Sequence, residues 1–82
     1  MERIEVLKHI SEIVRSSLMR QDIIITDTST VEEIEGWGSL ENAMIITALE
    51  QDYKIKFKLS ELLSWHTIGE LADLIIAKVE SN

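Results

Sequence analysis

Ser39 stands in the run Gly36-Trp37-Gly38-Ser39-Leu40, directly before a long apolar helical pattern. Two of the chain's three glycines lie in this run, which marks a tight turn. A serine offered at a helix start can do three things. It can cap the helix, its oxygen accepting from a backbone N–H that has no intrahelical partner. It can act as a nucleophile, if a base stands beside it. It can also be esterified and serve as an anchor, because a helix N-terminus tolerates added negative charge. The nucleophile reading would have to recruit His9 or His66, the only two histidines, and the run is not a Gly-x-Ser-x-Gly elbow. His9, His66 and the carboxylates show no metal-ligand spacing, and there is no cysteine for a thiolate site. The sequence therefore predicts no catalytic residue and no metal ligand, and leaves Ser39 as a cap, an anchor or both.

The surroundings of Ser39 are acidic. No Lys or Arg occurs between Arg20 and Lys54, whereas Asp22, Asp27, Glu32, Glu33, Glu35, Glu41, Glu50 and Asp52 do. The whole chain carries a net charge of -7 over 82 residues. That balance argues against nucleic acid and favours partners with basic surfaces, met through fast, salt-sensitive encounters. A chain of this length makes one domain, 1–82, with a small core and little room for a deep catalytic cleft. No apolar run approaches the ~18 residues of a membrane span, and the first residues lack the pattern of a signal peptide. The expected setting is the cytoplasm, with no membrane partner. The Met1 start fits a free-standing protein.

Hydropathy patterning supplies the elements that position Ser39. A first helix is predicted over about 2–19, with Ile4, Leu7, Ile10, Val14 and Leu18 facing the core. Residues 21–37 read as a long connection, pinned by Ile23, Ile24, Ile25, Val31 and Ile34 and containing a short helical turn near 31–34. A second helix starts at Ser39, its expected N-cap, and runs to about Tyr53. It is apolar on two sides: Ile45, Leu49 and Tyr53 share one face, while Leu40, Ala43, Met44 and Thr47 gather nearly opposite. One face serves the core, and the other is surplus, available for a neighbouring helix or a partner. Residues 53–59 alternate like a strand, but no second strand exists to pair with them. An extended connector burying Ile55 and Phe57 is expected, with Lys54, Lys56 and Lys58 in water. A short third helix follows at 60–63. The fourth opens with a capping box, Thr67 to Glu70, and buries Ile68, Leu71, Ala72, Ile75 and Val79. Trp37 and Trp65 read as packing residues.

In this order and spacing the chain resembles the acyl carrier proteins. The residues that carry the likeness are Thr26-Asp27-Thr28-Ser29 in the first loop, Gly36-Trp37-Gly38-Ser39-Leu40, Ala48-Leu49-Glu50-Gln51-Asp52-Tyr53 at the end of helix two, and Thr67-Ile68-Gly69-Glu70-Leu71. The resemblance implies an all-α four-helix bundle with three main helices, one short helix and a long first loop. It implies 4′-phosphopantetheine as a covalent cofactor on Ser39, with acyl groups carried on its thiol as thioesters and no catalysis by the protein itself. It also implies docking of partner enzymes along helix two through Leu40, Glu41, Ala43, Met44 and Thr47, and shelter for the acyl chain in a dry seam between helices two and four. The partners implied are a phosphopantetheinyl transferase and acyl-transferring or acyl-modifying enzymes with basic patches, meeting a monomer. Two departures stand out. Gly38 replaces the family's usual Asp before the serine, and three lysines follow helix two. They point to specialised polyketide-type assembly rather than housekeeping fatty-acid synthesis. An aminoacyl or peptidyl carrier and an unmodified adaptor that keeps the carrier fold are the alternatives.

Overall fold

The computed structural model describes residues 1–81. Four α-helices follow one another: α1 Arg3–Leu18, α2 Ser39–Tyr53, α3 Leu59–Leu62 and α4 Ile68–Glu80. A 3₁₀ turn at Val31–Glu33 interrupts the long first loop. No strand is present among the described residues; the one β-type contact is an isolated antiparallel bridge between Thr30 and Thr67. No helix among them is long and apolar enough to cross a membrane.

α1 lies against both α4 and α2. The core they enclose contains Val6, Ile10, Val14, Ile45, Leu49, Ile68, Leu71, Ala72 and Ile75. The α4 stripe is as expected for its first four members, with Val79 half-buried. In α1 the expected stripe is displaced at its start. Ile4 is 73 % exposed, and Val6 takes its place in the interior. A helix that packs on two neighbours buries a broader arc than a single i, i+3, i+4 stripe, and Val6 belongs to that arc.

The long loop is held by backbone bonds as well as by apolar contacts. α4 begins with amides that no intrahelical carbonyl can accept. Two of them are satisfied by the loop: Ile68 N–H donates to Ser29 O at 2.9 Å and Gly69 N–H to Asp27 O at 2.8 Å. Arg3 bridges Asp73 on α4 and Asp27 in the loop, and Arg15 donates to Ile23 O. Ile34 and Trp37 are buried, and Ile23, Ile25 and Val31 pack on the core. Ile24 departs from expectation at 85 % exposed, because successive side chains of an extended segment point to opposite sides.

The approach of the loop to α4 explains Gly69. A Cβ there would sit 2.7 Å from Arg3 Nη2 and 2.8 Å from the Asp27 carbonyl oxygen. Alanine ordinarily stabilises a helix by up to ~1 kcal/mol relative to glycine. Here overpacking against backbone outweighs that gain. Gly69→Ala is expected to destabilise the protein by about 1–3 kcal/mol, read as a lower urea midpoint.

Glutamate at the third helical position recurs at helix starts. Glu33 accepts from Thr30 N–H, Glu41 from Gly38 N–H, Glu61 from Lys58 N–H and Glu70 from Thr67 N–H. At α4 the box is complete, since Thr67 Oγ1 accepts from Glu70 N–H at 3.1 Å. At Glu61 and Glu70 these bonds favour the ionised carboxylate. Glu61 is held below the ordinary glutamate range by the Lys58 amide first and by Lys78 second, and Glu70 by the amides of Thr67 and then His66. Lowered folded-state values mean stability that is fully present above the unfolded value and lost as pH falls through the folded one. Urea midpoints are therefore expected to drop below about pH 4.3, and Glu61→Gln to flatten that acid limb.

Candidate functional site

The turn before α2 is built around Trp37. Gly36 adopts φ +95°, a left-handed conformation that side chains rarely enter, and so reverses the chain. Trp37 then drops into the core, 7 % exposed, and its Nε1–H donates to Asn42 Oδ1 at 3.0 Å. This bond ties the loop to the first turn of the helix it precedes. Ser39, two residues on, is exposed.

The helix start differs from the sequence expectation by one residue. Gly38, not Ser39, is the N-cap, and Ser39 is the first helical residue. Gly38 has extended backbone angles, and its N–H donates to the Glu41 carboxylate at 3.1 Å and to Gly36 O at 3.2 Å. The Ser39 hydroxyl thus has no capping duty and no hydrogen-bond partner among the described residues. His9 is engaged elsewhere, its Nε2 2.8 Å from Asp52 Oδ2, and the exposed His66 donates its backbone N–H to Glu70.

The two faces of α2 separate as expected. Ile45 and Leu49 are fully buried and Tyr53 half-buried, whereas Ala43 and Thr47 are exposed, with Leu40 at 68 % and Met44 at 45 %. The second apolar face is therefore open surface. Leu59 and Leu63, at either end of α3, are also exposed, a feature the sequence reading did not single out. Glu41 is half-buried by its bond to Gly38.

The connector after α2 runs as expected, with Ile55 buried, Phe57 half-buried and Lys54, Lys56 and Lys58 exposed. Glu50 fixes it by accepting from Phe57 N–H at 2.8 Å. Between the C-terminal half of α2, this connector and the end of α4 lies an open groove of about 650 Å³. Its lining includes Thr47, Glu50, Gln51, Lys54, Lys56 and Lys78, with Ile55 the apolar exception. At this place the space between helices two and four is an open groove of mixed polar and apolar lining.

Comparison with known proteins agrees with this arrangement. Residues 8–75 match the family described as the phosphopantetheine attachment site. The fold is similar to the solution structure of a holo acyl carrier protein from Geobacter metallireducens. The two chains are 34 % identical, with a TM-score of 0.84 over 93 % of this chain and 87 % of that one. No protein of curated function matches the sequence. The chain belongs to the acyl carrier protein family, and its cofactor is covalently attached 4′-phosphopantetheine. The residues present fit that group. An exposed hydroxyl without a partner stands at the positive end of a four-turn helix, where a phosphodiester is favourably placed.

Proposed function

We propose that the protein carries acyl intermediates as thioesters on a phosphopantetheine arm attached to Ser39, and that it serves a specialised, polyketide-type pathway. The observation that carries this reading is the release of Ser39 from capping. Gly38 and Glu41 complete the helix start, and the serine is left exposed and unbonded. The arm supplies a terminal thiol that this cysteine-free chain lacks, and the protein supplies attachment and presentation. Attachment forms a phosphodiester between Ser39 Oγ and the phosphopantetheinyl part of coenzyme A. Adenosine 3′,5′-bisphosphate leaves and the hydroxyl proton is released.

Presentation falls to α2. Leu40, Ala43, Met44 and Thr47 form an exposed, mainly apolar face beside the anchor, and Glu41 adds charge at its edge. A transferase or acyl-handling enzyme with a basic rim around an apolar patch fits this surface. Gly38 and the exposed lysines 54, 56 and 58 favour dedicated partners over the housekeeping fatty-acid enzymes. The protein acts as a monomer in the cytoplasm and has no catalytic activity of its own.

The function is tested by offering the loaded protein an acyl group through an acyltransferase. A hydroxylamine-labile acyl adduct on the arm is expected, and a loaded protein that accepts none would refute the carrier role. The docking surface is tested with Glu41→Gln, which keeps an acceptor for Gly38 N–H while removing the charge. It is expected to weaken transferase binding several-fold at low ionic strength, with the gap closing as salt rises. Equal binding at low salt would remove Glu41 from the interface.

A further inference from the structure

Trp65 carries a hydrogen-bond donor with nothing to donate to. The residue is 8 % exposed, and its Nε1 is the one fully buried side-chain nitrogen or oxygen without a partner among the described residues. Native interiors leave few such groups, because a desolvated N–H without an acceptor forfeits the bond it made to water. Phenylalanine would fill apolar space without that penalty. Trp37 shows the contrast, since its indole N–H is satisfied by Asn42. The two rings pack against each other, 6.3 Å between centroids and 46° between planes. Trp65 therefore backs the residue that seats the turn of Ser39.

We infer that Trp65 Nε1–H receives a carbonyl oxygen of the group borne on Ser39, either an amide of the arm or the thioester carbonyl of its cargo. This inference rests on Ser39 being the attachment point. The pantetheine portion offers two amide carbonyls and an acyl thioester a third; each can accept from an indole N–H, and the thioester alone brings no N–H of its own. For this the arm folds back from Ser39 and the segment that carries Trp65 opens, because both indoles are buried in the unloaded protein. The segment leading into Trp65 is suited to yield. α3 buries no residue, Leu59 at its start and Leu63 just after it are exposed, and the half-buried Leu62 alone of its apolar residues packs on the core, so that the Lys78–Glu61 ion pair at 2.9 Å is a main restraint to be released. Elements with so few buried contacts open at low cost.

Indole ¹H–¹⁵N resonances of the apo, phosphopantetheinylated and acylated forms test this, with mass spectrometry confirming what each sample carries. The Trp65 Nε1–H signal is expected to move downfield on loading, while Trp37, already bonded, stays near its apo position. Movement on addition of the arm identifies an arm amide; movement only on acylation identifies the thioester carbonyl. A Trp65 signal unchanged in both loaded forms overturns the inference and leaves the carrier reading intact. Absence of any adduct on Ser39 overturns both. Trp65→Phe supplies an independent reading. The loaded native protein is expected to melt about 4 °C above its apo form, and the variant to lose that difference. A difference that survives in Trp65→Phe would contradict the assignment.

Discussion

Ser39→Ala leaves the protein folded and abolishes its loading. The hydroxyl is exposed and accepts or donates no hydrogen bond among the described residues, so its removal breaks nothing in the interior. The helix start persists, because Gly38 is the N-cap and Glu41 satisfies its amide. Alanine is also a better helix former than serine, so the change in stability is expected to lie within ~0.5 kcal/mol. The effect on function is all or none. With no Oγ there is no phosphodiester, no thiol and no thioester. Circular dichroism and a urea titration check the first half, and intact mass after treatment with coenzyme A and a transferase checks the second. A variant that still gained the arm would move the attachment to another hydroxyl.

The second large effect is in the core. Ile75 is fully buried and belongs to the core cluster to which α1, α2 and α4 all contribute. Truncation to alanine removes buried methyl and methylene groups and leaves a cavity, at a cost of about 2–5 kcal/mol. A domain of this length has a total stability of about 4–12 kcal/mol. Ile75→Ala is therefore expected to remove a large part of the stability and to lower the melting temperature by about 8 °C or more, measured by calorimetry. Met44→Ala is the control from the same bundle. Met44 is 45 % exposed on the open face of α2, and its loss is expected to leave the melting temperature nearly unchanged.

Much of this was legible in the sequence, and particular residues show why. α2 begins at Ser39 and ends at Tyr53, as its pattern predicts, and its two faces part as the 100° period requires. The capping box at Thr67 and Glu70 is in place because Ser/Thr and Glu three residues apart signal it directly. The caps at Gly38 and Lys58 were not visible, since the donor there is a backbone N–H and the side chain at the cap gives no sign. That is also why Ser39 looked like a cap. The displacement of Ile4 by Val6 reflects how α1 sits between two neighbours, which no single-helix pattern encodes. The seating of Trp37 on Asn42 depends on the backbone turn at Gly36, and the unpaired indole of Trp65 on the packing around it, and neither can be read from residue types alone.

The central claim is that Ser39 is a modification site rather than a structural serine. It is tested most directly by incubating the native protein with coenzyme A and a broad-specificity phosphopantetheinyl transferase, measuring intact mass, and locating the adduct by fragmentation. The account predicts a gain of one phosphopantetheinyl group, confined to Ser39. No gain with this enzyme and a second transferase, or an adduct on another residue, would contradict it.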